Sequence, residues 1–228
     1  QALLKAGQYG KAEKLLKDPI KKRELDEKAR PAAMVVYADC AYMRGDFYEA
    51  YKRYQKVVEE YPDTVEFALS LRRELDIAKA WLEGKKRRLW GMFPVSAEDE
   101  ALDILTRIEE RAPGKRIAEV ALKMKADYYY DAHKYDEAET AYRRLLRDYP
   151  SKRYRQMAAR RAADAADARF AGAPFDETPL LEATELYRQY LDQFPQSTDH
   201  AEIEGFLQLI QARSEEHTSE LQSPSVIS

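Results

Sequence analysis

Apolar and polar positions alternate along this chain with the period of an amphipathic helix rather than of a strand. Segments such as YEAYKRYQKVVEEYP and DEAETAYRRLLRDYP place small or bulky residues at i, i+4 and i+7 between runs of charge. Five segments share one pattern, a small hinge followed by an aromatic or apolar residue, a charge and an alanine. They are GQYGKA, GDFYEA, SAEDEA, HKYDEA and TPLLEA, with alanines at Ala12, Ala50, Ala101, Ala138 and Ala183. The spacings of 38, 51, 37 and 45 residues predict a degenerate repeat carrying insertions.

After four of these alanines a large residue follows four positions on and a proline twelve positions on. The series are Ala50, Tyr54, Pro62; Ala101, Leu105, Pro113; Ala138, Tyr142, Pro150; and Ala183, Tyr187, Pro195. The i, i+4 step sets alanine and bulky residue on one face, so a second helix approaches at the alanine and the large side chain fills the space beyond. The proline ends the helix, because it lacks an N–H and disfavours helical geometry in the residue before it. Ala38 and Ala126 stand twelve residues ahead of Ala50 and Ala138, on a preceding helix. The pattern predicts antiparallel helix pairs crossing small residue on small residue.

These residues resemble the tetratricopeptide repeat (TPR), closely at 31–62 and 119–150 and with insertions at 65–113 and 154–195. A first copy at about 1–18 lacks most of its leading helix. The resemblance implies an all-α fold, a TPR-type right-handed α-solenoid of about five antiparallel helix pairs over 1–212, which binds other proteins. Leu3 and Leu4 are expected to be exposed by the shortened first helix. The second-helix ends YQKVVEEYPDT, YRRLLRDYPSK and YRQYLDQFPQS further resemble the outer-membrane β-barrel assembly lipoprotein BamD family. That likeness implies a periplasmic lipoprotein on the outer membrane, docking β-barrel assembly components and meeting the membrane through a lipid anchor outside this stretch. The alternative is a cytosolic TPR adaptor that binds a partner peptide.

Aligning the repeats by their hinges puts Tyr42, Trp81 and Tyr130 at one position, three residues before Gly45, Gly84 and His133. In the TPR family that position tends to face the binding groove. Asp39, Asp127 and Lys123 fall on nearby faces, where fixed charges would set the register of a bound segment. The competing reading makes the three aromatics inter-repeat packing. The most unusual stretch is KKRRLWGMFPV at 85–95. Its Lys85, Lys86, Arg87 and Arg88 precede Trp90 and Phe93, giving either a docking hairpin for a partner or anionic headgroups, or a loop tucked onto adjacent helices. Lys152, Arg153, Arg155, Arg160 and Arg161 spread around a helix and read as a solvated face.

Composition removes other classes. A net charge of −3 argues against nucleic acid held by bulk electrostatics. The lone cysteine, Cys40, forms no intrachain disulfide and reads as a small buried hydrophobe. His133 and His200 lack partners at metal-ligand spacing, so neither metal nor cofactor is expected. No glycine-rich phosphate loop, nucleophile elbow or HExxH occurs, and carboxylates such as Glu59, Glu60, Glu109 and Glu110 fall at positions read as solvent-facing. The expectation is a non-enzymatic chain. RSEEHTSELQS at 213–223 resembles a translated sequencing adapter, so 213–228 is set aside as a non-native, disordered tail. The native chain is expected to extend beyond Gln1 and Ala212.

Overall fold

The computed structural model describes residues 2–84, 87–89, 93–95, 97–150, 152–170 and 178–222, as backbone alone at 87–89, 93–95, 152 and 216–222. Among these residues it is all-α apart from one short hairpin, and it divides into two compact units at Ala121 and Leu122.

The first unit contains α1 (Ala2–Lys5), α2 (Tyr9–Lys21), α3 (Arg30–Met43), α4 (Phe47–Glu60) and α5 (Val65–Leu82). An antiparallel hairpin follows, with β1 (Arg87–Leu89), β2 (Phe93–Val95) and Arg88 opposite Pro94; α6 (Glu98–Arg111) and the start of α7 (Arg116–Asp131) complete it. Consecutive helices pack as antiparallel hairpins, and α3 also touches α5, the leading helix of the next pair. Ala38 and Ala50 are both fully buried, as a close helix crossing requires. Asp46 and Thr64 cap α4 and α5 by accepting from the Glu49 and Phe67 backbone N–H groups. Leu3 and Leu4 are half-buried rather than exposed, because α1 folds back on α2; the exposed leucine there is Leu15.

The second unit holds the rest of α7, then α8 (Tyr135–Asp148), α9 (Lys152–Ala168), α10 (Thr178–Gln193) and α11 (His200–Gln222). Alanines carry its packing. Ala158, Ala162 and Ala165 meet α7 and α8 around Leu122, Tyr142 and Leu145, while Ala159, Ala163 and Ala166 meet α10 and α11 around Leu180, Tyr187 and Ile203. Two alanine stripes on one helix let α9 sit close to partners on both sides. The expectation of a disordered tail is corrected here. Helix α11 continues through Gln222, and Arg213 donates to Asp167 at 2.9 Å. With Phe206 stacked on Tyr187 at 5.9 Å, α11 covers the apolar face that α10 would otherwise leave bare.

Helices α4, α6, α8 and α10 each stop two residues before Pro62, Pro113, Pro150 and Pro195. The intervening Tyr61, Ala112 and Tyr149 have φ near −130° and ψ between +51° and +73°, outside the helical region that a residue ahead of proline avoids. No described helix is long and apolar enough to cross a membrane.

Candidate functional site

The leading helices α3, α5 and α7 end in turns through the left-handed region. Gly45 (φ +78°) and Gly84 (φ +88°) adopt it without strain, and His133 (φ +57°) adopts it despite its Cβ. Three residues earlier lie the aromatics singled out from sequence, and they divide. In the first unit Tyr42 is half-buried, tilted on Phe47 at 5.3 Å, with the Arg73 guanidinium 4.9 Å from its ring centre. In the second unit Tyr130 is half-buried against Tyr135 and Tyr142, with Arg161 4.4 Å from its ring centre. In both cases the cation comes from the next leading helix, α5 or α9. Trp81 corrects the expectation. It is 2% exposed, set edge-on to Tyr51 at 6.5 Å, and therefore packs the interior instead of lining a groove.

Asp39 and Asp127 belong to an internal device. The buried Tyr54 hydroxyl donates to Asp39 at 2.6 Å, and the Tyr142 hydroxyl donates to Asp127 at 2.8 Å. Each carboxylate also meets a cation, Arg73 at 3.3 Å from Asp39 and Lys123 paired with Asp127. Lys123 further lies 5.6 Å from the Tyr154 ring centre. The same device recurs where the sequence reading did not place it: Tyr187 donates to Asp164 at 2.8 Å, and Arg160 donates to Asp164 at 2.8 Å. Burial, reinforced by these carboxylates, pushes the Tyr54, Tyr142 and Tyr187 phenols far above their ordinary pKa. Asp39–Tyr54 and Asp127–Tyr142 share a separation of 15 residues, the signal that could have revealed the device. An insertion stretches Asp164–Tyr187 to 23 and hides it. In the intervening repeat the hinge alignment puts Ala78 and Leu105 at these positions, both fully buried.

Several other sequence expectations change. Arg160 is not on a solvated face, since it also donates to Asp199 at 3.0 Å and Glu202 at 3.1 Å. Glu109 is buried rather than solvent-facing. Cys40 is fully buried, and burial raises its thiol pKa. In the candidate docking loop, Lys85, Lys86 and Trp90 lie outside the described residues; Arg87, Arg88 and Phe93 sit in the two strands, described as backbone alone.

These elements define a class: an all-α chain of antiparallel helix hairpins in which a small-residue crossing and a proline stop recur. The tetratricopeptide repeat family model matches it twice, at residues 32–64 and 121–152, spanning α3–α4 and α7–α8. A tetratricopeptide repeat protein of Parabacteroides merdae is similar in structure at 14% identity and a TM-score of 0.45, over 97% of this chain and 74% of that one. A thermophilic TPR protein of Thermus thermophilus is similar at 18% identity and 0.39, over 91% and 94%. The TPR2AB domain of yeast Sti1, solved in a pHSP90 complex, is similar at 16% identity and 0.34, over 92% and 82%. No curated protein is similar enough in sequence to count as a relative.

Proposed function

We propose that this chain is a non-enzymatic protein-interaction scaffold whose leading helices hold extended or helical segments of partner proteins. The observation that carries the reading is the repeated tyrosine–arginine station. Tyr42 under Arg73 and Tyr130 under Arg161 each offer a rigid aromatic ring, held by a cation from the following repeat and left partly open to solvent. Aromatic rings and guanidinium groups supply large contact area at low entropic cost and recur where binding energy concentrates. The buried tyrosine–aspartate pairs beneath them fix the spacing of the helices that present them. The test is titration with a bound partner segment. Tyr130→Ala or Tyr42→Ala weakens binding by about tenfold or more with helicity intact; a loss of helicity in both variants would sink the assignment.

The finer reading is a BamD-like periplasmic lipoprotein acting with β-barrel assembly components at the outer membrane. Its support is the Tyr-Pro and Phe-Pro ends after α4, α8 and α10, together with the insertions ahead of α6 and α10. Sequencing the gene upstream of Gln1 tests it. A signal peptide ending in a cysteine agrees with the reading, whereas a start codon without one leaves the cytosolic adaptor.

A further inference from the structure

Helices α8 and α10 both pack on α9 and stand apart across an open groove of about 620 Å³. Its floor is apolar. Leu146 of α8 and Leu186 of α10 close the two neighbouring cores from above, and Leu181 stands at the edge, 64% exposed. The two cores are closed beneath it by Leu146 and Leu186, so covering Leu181 from outside adds apolar burial without disturbing them. Polar clusters bound the groove at both ends. At one, Arg169 joins Glu139 of α8 to Glu182 of α10; at the other, Arg155 donates to Gln193 at 3.2 Å. Between these ends the floor runs along about 16 Å of α10, the length of three helical turns.

The walls are charged. On the α8 side stand the exposed Arg143 and Arg147, with Arg155 at the end of the groove, and the α10 side carries Glu182 and the exposed Glu185. Arg143 is tied to Glu139 at 3.0 Å and Arg147 to its neighbour Asp148 at 2.8 Å, both at solvent-exposed heads that an incoming carboxylate can reach. Two helices lying apart on a third leave a channel shaped for a fourth helix, whose side-chain ridge fills the space between them.

We infer that this groove docks an amphipathic helix of a partner protein, about three turns long, with a leucine-type ridge on Leu146, Leu181 and Leu186 and acidic side chains against Arg143 and Arg147. The ridge removes Leu181 from water, and the arginine wall favours an acidic flank on the side of the docked helix that faces α8. This surface belongs to the second helices of the pairs, so it is separate from the tyrosine–arginine stations on the leading helices.

The probe is a synthetic helical peptide of about 14 residues with leucines at i, i+4, i+7 and i+11 and glutamates along the one flank that faces α8. Fluorescence anisotropy measures its binding to the full chain. The expected result is saturable binding that weakens about tenfold or more with Leu181→Asp. That change lies in the first turn of α10, where an acidic residue suits the helix dipole, so helicity stays intact. Arg143→Glu combined with Arg147→Glu reduces binding of the glutamate peptide and confers binding of its lysine-flanked counterpart. Tyr130→Ala leaves the interaction unchanged, so this docking face and the proposed leading-helix site fail separately. The inference is overturned by no binding, by equal binding of a serine-for-leucine peptide, or by binding indifferent to Leu181→Asp and to the double charge reversal.

Discussion

Tyr54 is fully buried, and its hydroxyl reaches Asp39 on the partner helix at 2.6 Å. A buried donor left without an acceptor costs more than the bond itself contributes, so the two residues are bound to each other's presence. Tyr54→Phe is expected to cost about 1 kcal/mol and Asp39→Ala about 1–3 kcal/mol, the larger value reflecting a stranded hydroxyl. The double replacement Tyr54→Phe with Asp39→Ala should cost clearly less than the sum, since hydroxyl and carboxylate leave together and neither is stranded; the next repeat dispenses with both, having Leu105 and Ala78 at those positions. A urea-denaturation double-mutant cycle reads this directly, and strict additivity would contradict it. Glu74 poses the opposite problem. It is 2% exposed with one carboxyl oxygen unpaired, and Arg107 and Arg111 on α6 and Glu59 on α4 surround it electrostatically. Burial pushes its pKa up to about 8 from an ordinary 4.5. Between those pH values the folded chain holds a proton that the unfolded chain has lost. Stability therefore falls as pH rises, by about 1.4 kcal/mol per unit at most, and levels off above the folded pKa. Glu74→Gln should flatten that slope in melting temperatures taken from pH 5 to 8 and make the protein more stable at pH 8.

At the scale of elements, hinges and stops do the organising. Gly45 and His133 occupy equivalent turns, with φ of +78° and +57°. Gly45→Ala is expected to cost about 1 kcal/mol, because a Cβ strains the left-handed region. His133→Gly relieves the same strain and should raise stability by a few tenths of a kcal/mol, the gain being trimmed by glycine's freedom in the unfolded chain. Thermal denaturation of both variants measures the pair; a destabilised His133→Gly would show that the His133–Tyr135 contact outweighs the strain. Arg169 ties two helices of the second unit together, meeting Asp136 and Glu139 of α8 and Glu182 of α10 from its place after α9. Glu139 is buried, so Arg169→Ala leaves a largely desolvated carboxylate without its main cation. The expected cost is about 3 kcal/mol, discounted because the guanidinium keeps some solvent contact; Arg169→Lys should recover only part of it.

For the whole molecule, the division at Ala121 and Leu122 places Trp81 in the first unit, and the sequence has no tryptophan after residue 121. In a chain of repeats, stability is carried by each hairpin and its nearest neighbours. Tyr187→Ala removes a buried ring from the second unit at a cost of about 3–5 kcal/mol. It should lower the denaturation midpoint seen by circular dichroism more than the midpoint seen by tryptophan fluorescence. Trp81→Ala should lower the helical signal of the first unit instead, as expected of a core residue. Coincident transitions in the Tyr187→Ala variant would show that the two units unfold as one.

The helix pairs, their small-residue crossings and their proline stops were legible in the sequence because each is a local rule. An alanine four residues before a bulky side chain and twelve before a proline acts on its own helix, whatever surrounds it. What the sequence left open depends on neighbours distant in the chain. Trp81 and Tyr42 share a register position, yet one is sealed against Tyr51 while the other stays open beneath Arg73, and no spacing reports which helix covers them. Arg160 reads as one of a run of surface cations until α11 brings Asp199 and Glu202 to it. The burial of Glu74 and Glu109 and the groove between α8 and α10 arise the same way. Periodicity sets the face a residue occupies within its own helix, and only the packing of other helices decides whether that face meets water.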